Sequence, residues 1–407
     1  MVKKLVSLLL VLLVFTGTAS AADLSPDVRS AILVDAASGK ILYQENIDTP
    51  MPPASMTKMM TEYLVLEAIK DKTITWDDIV TTSDYGFFLG RYGGSRVFLN
   101  EKERRTVREL YEAMAIYSAN DATAMLAEHI ASTETAFVEL MNEKGQELGM
   151  KDSNFITSTG LPRNILSDYA PPISLGEQVM SARDAAILAR ELINTFPEAL
   201  KIASTPKAVF RQGEDDQVEM INWNWMLPGL WYELEGVDGL KTGYTEAAGN
   251  CFTGTAKRGN IRLISVVMGA KSKEHRFKAT KELLEYGFEA FTVEKIAKKG
   301  DTIKGYEKTK VLKGKKLEVP VEVAEDISLM VKRDSKIEKV VSLTTVEAPV
   351  KKGQVIGSVA FDSESDYLRE KDKQDTEINM VAVEEIEKAS LIIRLFRGIK
   401  NFFLGLF

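Results

Sequence analysis

Ser55 and Lys58 stand three residues apart in Pro53-Ala54-Ser55-Met56-Thr57-Lys58, at the start of a stretch whose apolar residues recur at helical steps through 56–69. On a helix that step brings hydroxyl and amine to one face, where a neutral lysine would deprotonate the serine and make it a nucleophile. Serine is also favoured at helix starts, where unpaired backbone N–H groups can hold a developing oxyanion. The pair alone is weak, since a chain of this composition holds about one or two such pairs by chance. A second one, Ser204 with Lys207, has Pro206 inside it, which opposes a helical turn. Two triplets single out the first pair: Ser118-Ala119-Asn120 at the junction of two helical patterns, and Lys241-Thr242-Gly243 just before a predicted strand.

Elements must bring these distant groups together. Residues 31–35 and 41–46, joined through Ala37-Ser38-Gly39-Lys40, predict a β-hairpin, and 251–256 with 261–268 around Lys257-Arg258-Gly259-Asn260 predict another. Between them the apolar period is helical, over 107–117, 123–130, 136–148 and 182–192, with Ser181 and Asp184 as a helix-start pair; 276–291 closes the region as a further helix. Strands early and late with helices between predict one antiparallel sheet built from both ends of a domain spanning 22–294, an α+β fold with a helical insert. After Lys298-Lys299-Gly300 the chain becomes rich in Val and Lys, and alternation over 317–323 and 339–343 predicts a small all-β domain over 295–385.

The 407 residues carry 52 basic against 59 acidic side chains, a formal charge of −7, which argues against nucleic-acid binding. Cys251 is the single cysteine and His129 and His275 the two histidines, too few for an intramolecular disulfide or a Cys/His metal site. Cys251 and His129 read as packed residues, as do Met56, Met59 and Met60 around the serine. Trp223, Trp225 and Trp231 either line a groove or fill the core.

Residues 1–21 have the form of a secretory signal: Lys3 and Lys4, an apolar run, then Ala19-Ser20-Ala21. At the other end, 386–407 forms on a helical wheel a narrow polar sector opposite Leu, Ile and Phe, with Arg394, Arg397 and Lys400 interrupting the apolar run. Such a helix lies in the headgroup layer of an anionic membrane without crossing it. The expected location is therefore outside the cytoplasmic membrane of a bacterium, on its outer face.

Serine-x-x-lysine, serine-x-asparagine and lysine-threonine-glycine in that order resemble the signature set of class A β-lactamases and penicillin-binding proteins. Closer still, 52–61, Ser118 to Ala122, Ser181 to Asp184, Asp238 to Thr245 and Ala248-Gly249 resemble the low-molecular-mass D-alanyl-D-alanine carboxypeptidases of bacterial cell-wall maturation, over roughly 23–291. The resemblance implies a β-lactamase/transpeptidase-like domain followed by a small β domain and an anchoring helix. It implies that Ser55 attacks the carbonyl between two D-alanines of a peptidoglycan stem, Lys58 takes its proton, Ser118 relays a proton to the leaving amine, and Asn120 positions substrate and lysines. The backbone N–H groups of Ser55 and Tyr244 would form the oxyanion hole. Lys241, Thr242, Gly243 and Arg276 would bind the substrate's end, β-lactams would acylate the serine, and no cofactor would be needed.

Two departures stand out. The segment 161–180 is longer than the family's loop there and would reshape the rim of the site, and Tyr244 replaces a histidine of some relatives. Rival readings are a β-lactamase, an endopeptidase on the same fold, and an idle peptidoglycan-binding protein. Against the first, a glutamate with an asparagine four residues on, which class A enzymes use to direct water, is missing about 35 to 50 residues after Ser118.

Overall fold

The computed structural model describes residues 24–92, 94–361, 365–374 and 377–404. The expected signal segment, 1–21, lies outside the described residues. Strands β1 (Ser30–Asp35) and β2 (Ile41–Glu45) form the first hairpin, and β1 pairs antiparallel along its length with a strand from more than two hundred residues later. The chain between them supplies α1 (Lys58–Lys70), the short pair β3 (Ile79–Thr81) and β4 (Arg104–Thr106) flanking α2 (Asp84–Tyr92), then α3 (Val107–Tyr117), α4 (Asn120–Ala131) and α5 (Glu134–Leu148). After a long loop come α6 (Ala182–Thr195), α7 (Glu198–Ala203) and a hairpin of β5 (Lys207–Phe210) and β6 (Val218–Ile221). Strands β7 (Val237–Thr245), β8 (Gly249–Arg258) and β9 (Ile261–Ala270) then complete an antiparallel sheet of order β2-β1-β9-β8-β7, and α8 (Lys273–Ala290) returns across it.

Both faces of this sheet are covered, so β1 is buried at all six positions instead of alternating with solvent. Ala31 and Leu33 join Phe252, Phe277, Leu283 and Leu284 beneath α8. Ile32 and Val34 join Ile264 and Val266 in the larger core with α1, α3, α4 and α6. Helix α1 runs through that core, every residue from Lys58 to Leu66 buried, which is why its apolar residues do not form one stripe. The sheet from both ends, the helical insert and the two hairpins match the sequence expectation. Helices α2 and α7 and the β5–β6 hairpin were not anticipated: they are short, and their apolar residues answer to tertiary neighbours. The decoy pair falls apart, with Ser204 ending α7 and exposed Lys207 opening β5.

The second domain comprises β10 (Phe291–Ala297), β11 (Lys308–Leu312), β12 (Glu318–Val323), β13 (Ile327–Lys332), β14 (Lys339–Leu343), β15 (Val346–Glu347), β16 (Val355–Phe361), α9 (Glu370–Gln374) and β17 (Glu377–Ala382). Six strands form one sheet and β10 pairs with β13, around a core of Val319, Val321, Val359 and Met380. Because β10 spends its backbone on β13, the strand from Phe291 belongs to this domain, four residues ahead of the expected start at 295. The terminal helix, α10 (Leu391–Leu404), also begins later than the wheel indicated. Ile386 exchanges both backbone hydrogen bonds with Val350 (2.9 Å each) and is buried, so residues around it close the β domain and are not helical. Among the described residues no helix is long and apolar enough to cross a membrane.

The connection from β16 to β17 reaches back to the first domain. Asp366 O accepts from Ile41 N–H and Gly39 O from Leu368 N–H, both at 2.9 Å, while buried Asp372 bridges Arg190 (2.8 Å) and Arg369 (3.0 Å).

Candidate active site

Ser55 sits in a single 3-10 turn, Ala54–Thr57, that runs into α1. Its hydroxyl caps no backbone group; instead Lys58 Nζ lies 3.0 Å from Ser55 Oγ, one turn along the same face. The sequence placed Ser55 at a helix start, and the tighter 3-10 geometry is what aims it outward from an otherwise buried helix. Lys58 is fully buried, with Asn120 Oδ1 at 2.6 Å and Thr159 O at 2.8 Å accepting from its amine. Burial, and next the positive charge of Lys241, hold its pKa well below that of an ordinary lysine. Burial thus favours the neutral amine, the form that can accept a proton.

Ser118 and Asn120 come from the turn between α3 and α4. A capping box of Thr106 and Glu109 starts α3, and Ser118 ends it in the left-handed region (φ 62°), reversing the chain so that α4 starts at Asn120. Ser118 Oγ is buried against the cavity with no hydrogen-bond partner among the described groups, a polar atom held ready for an incoming one. Asp121 anchors the facing wall: its carboxylate accepts from Val97 and Leu99 N–H at 3.1 to 3.2 Å.

Lys241, Thr242 and Gly243 lie on β7, the edge strand of the sheet, beside the serine turn. Lys241 is buried, its Nζ 3.2 Å from Thr242 O, and burial pushes its pKa down to about 8, with Glu62 opposing and Arg276 assisting. At Gly243 the strand passes so close to the turn that a Cβ would stand 2.6 Å from Pro53 O. Tyr244 follows with its ring more than half exposed at the rim. Arg276, in the first turn of α8, is buried rather than on the surface; Nη1 sits 3.4 Å from Gly243 O and 3.5 Å from Cys251 O, and Nε has no partner among the described groups. Burial lowers its pKa to about 10, leaving it charged at neutral pH.

Together these residues line one cavity of about 570 Å³, with Ser55, Ser118, Asn120, Thr242, Tyr244 and Arg276 on its walls and Lys58 and Lys241 beneath. All nine sequence candidates therefore meet at one place. Of the tryptophans, Trp223 lines the cavity and donates from Nε1 to Tyr117 O at 3.0 Å, Trp225 stacks with Tyr232 and Phe277, and Trp231 is exposed elsewhere. The long segment after Leu161 does shape the rim: Leu161, Pro162, Asn164 and Ile165 line the cavity. It is held by Arg163, which donates to Pro171 O and Pro172 O at 3.1 Å, and by buried Leu166, in a cluster with Tyr85 and Leu89 of α2.

Sequence reasoning missed the support beneath. The strip 157–160 lies along α1 through Thr61 Oγ1 to Ser158 O (2.8 Å) and Lys58 to Thr159 O, and a Cβ on Gly160 would overlap Ala54 O. Glu134 accepts from Ser158 N–H at 2.7 Å, and Glu62 is buried one turn beyond Lys58. Its four-residue step from Lys58 was the available signal.

Residues 16–272 match the family model described as D-alanyl-D-alanine carboxypeptidase, and 291–388 that of the penicillin-binding protein 5 C-terminal domain. The chain is 33% identical over 409 residues to the D-alanyl-D-alanine carboxypeptidase DacF of Bacillus subtilis (strain 168), covering 97% of each. It superposes with a TM-score of 0.72 and 34% identity on a peptidoglycan synthesis regulatory factor (PBP3) from Streptococcus pneumoniae, covering 88% of this chain and 99% of that one. Penicillin-binding protein D2 from Listeria monocytogenes, solved in an ampicillin-bound form, is 34% identical with a TM-score of 0.54 over 64% of this chain and 97% of its own. A serine and a buried lysine paired beside a sheet edge, a second all-β domain and these matches agree: the chain belongs to the D-alanyl-D-alanine carboxypeptidase family and is an enzyme of that family.

Proposed function

We propose that Ser55 is the nucleophile of this carboxypeptidase, acting on peptidoglycan stem peptides that end in D-alanyl-D-alanine. Lys58 Nζ takes the Ser55 proton as Oγ bonds to the penultimate carbonyl carbon, and the oxyanion is held by the N–H groups of Ser55 and Tyr244. Ser118 relays the proton held on Lys58 to the departing nitrogen; the C–N bond breaks, terminal D-alanine leaves, and water attacks the ester with Lys58 taking its proton and returning it to Ser55 Oγ. Lys241, Thr242 and Arg276 bind the terminal carboxylate, which favours removal of a free end over cutting of cross-links. The observation that carries this reading is a buried, pKa-lowered amine 3.0 Å from a hydroxyl at the base of a cavity. β-Lactams acylate the same oxygen as covalent inhibitors.

The proposed location is the outer face of the cytoplasmic membrane after export. Supporting it, α10 leaves Leu391, Ile392, Leu395 and Phe396 all more than 65% exposed, while Arg397 on its polar side donates to Gly314 O at 2.7 Å. The helix thus offers an apolar face away from the β domain.

Intact-mass spectrometry with benzylpenicillin, mapped by digestion, together with D-alanine release from a stem pentapeptide, tests the proposal. A lasting adduct on Ser55 with D-alanine release supports it. Rapid turnover of the adduct favours a β-lactamase, and no adduct on the folded protein would leave an idle binding protein.

A further inference from the structure

Lys273 is exposed at the first position of α8, three residues before Arg276, so the two side chains leave the helix on one face. Both line the cavity that holds Ser55. Two indoles fix where the lysine points: its Nζ lies 5.0 Å from the ring centre of Trp223 and 5.5 Å from that of Trp225. Those rings are themselves held. Trp223 donates from Nε1 to Tyr117 O at 3.0 Å and stacks on Trp225, which packs on Tyr232 and Phe277. No carboxylate among the described residues pairs with Lys273, whereas Lys271, two residues earlier, is 2.7 Å from Asp27. Among the described residues, the cavity wall carries Glu246 as its one acid against Lys273 and Arg276, with Lys241 beneath, so positive charge prevails at its mouth.

We propose that Lys273 is a specificity-determining residue: its ammonium, propped at the mouth by Trp223 and Trp225, draws in the free carboxylate of the terminal D-alanine and holds it together with Arg276. This rests on the carboxypeptidase reading given above. The two cations differ in what water does to them. Arg276 is 2% exposed, so its attraction acts at short range and is little screened; Lys273 is exposed, so its attraction reaches into solvent and weakens with salt. Lys273 therefore acts on capture of the substrate and Arg276 on its seating. A chain whose terminal carboxylate is blocked as an amide gains nothing from the ammonium, and the site thus prefers free ends from the point of entry. Benzylpenicillin makes the same demand, because its carboxylate stands one carbon from the amide nitrogen that is cleaved, as that of terminal D-alanine does.

The test uses the full chain and two rates: second-order acylation by benzylpenicillin, and D-alanine release from diacetyl-L-lysyl-D-alanyl-D-alanine resolved into kcat and KM. Each is measured at low salt and at about 0.5 M salt, which screens exposed charge beyond a few ångströms. Lys273→Met keeps the length that covers the indoles and removes the charge. At low salt it should lower the acylation rate and kcat/KM about tenfold, with KM raised and kcat unchanged, and at high salt the loss should shrink to about twofold. Lys273→Arg should restore wild-type values, since a guanidinium also stacks on indole. Lys271→Met, which removes the same charge outside the cavity, should leave both rates near wild type. A loss through kcat, a loss equal at both salt concentrations, or one shared by Lys271→Met would overturn the proposal, as would wild-type rates in Lys273→Met. Wild type that is acylated but releases no D-alanine sinks the carboxypeptidase reading while the acylation arm still decides Lys273; wild type that does neither overturns both.

Discussion

Gly243 on β7 and Pro53 before the serine turn touch through backbone alone: a methyl on Gly243 would stand 2.6 Å from the Pro53 carbonyl oxygen. The last residue of Lys-Thr-Gly is thus small because the edge strand is pressed against the turn that carries Ser55. Gly243→Ala should push strand and serine apart, lowering acylation by on the order of 100-fold, as loss of one oxyanion donor does. Stability should fall by only about 1 to 3 kcal/mol. Penicillin acylation rates and urea unfolding measure the two effects separately, and a normal acylation rate would mean that the contact does not set the site.

Arg276 should read the free carboxylate. Arg276→Gln is expected to lower kcat/KM on a peptide ending in D-alanyl-D-alanine by about 10- to 100-fold, the loss of a hydrogen bond to a charged group. The same peptide ending in a carboxamide should be a poor substrate for both proteins and show little difference between them. Equal losses on both peptides would place Arg276 in support of β7 instead.

Glu134 ties stability to pH. Burial raises its carboxyl to about 7, so the folded state holds a proton that the unfolded chain releases near 4.5. Its contribution is complete below about pH 4.5 and is lost as pH rises through about 7. Glu134→Gln should remove that dependence, flattening the decline in unfolding free energy between these limits by up to about 3 kcal/mol. Parallel urea-derived curves for the two proteins would rule this out.

Asp372 is 3% exposed between Arg190 of α6 and Arg369. Replacing it with alanine leaves the largely buried Arg190 without a carboxylate and Arg369 with Glu191 alone, a change that costs about 3 to 5 kcal/mol when a buried pair is broken. The expected outcome is faster proteolysis in the β16–β17 connection and a lower melting temperature, with penicillin acylation at ambient temperature close to wild type. Loss of acylation in the folded variant would show that the docking of the domains reaches the cavity.

Ending the chain after Ser390 should abolish sedimentation with vesicles containing anionic lipid, and leave acylation unchanged because α10 lies on the β domain. Replacing Leu395 and Phe396 with serine should do the same without shortening the chain. Vesicle binding that survives both changes would assign the membrane contact to another surface.

Local chemistry was legible in the sequence wherever it depended on short spacing. Ser55 and Lys58 share a face through their three-residue step, α3 occupies the span its apolar period indicates, and the Ser181 hydroxyl accepts from Asp184 N–H as the pair foretold. The union of both ends in one sheet followed from the order of strands and helices, and β1 pairs with β9 accordingly. The resemblance of the motifs to a family supplied the roles of Asn120 and Arg276, which spacing alone did not.

What the sequence by itself determined was therefore the set of candidate groups and the type of elements that carry them, since helical and strand periods are properties of neighbouring residues. Tertiary structure alone decided the full burial of Lys58, the burial of Glu62 one turn further along α1, and the close approach that requires Gly243. It also decided that Ile386 ends a β domain while Leu391 starts a helix. These outcomes depend on desolvation and on contacts between residues far apart in the chain, and neither has a local signature: a lysine reads the same in solvent as in a core until the surrounding elements close over it.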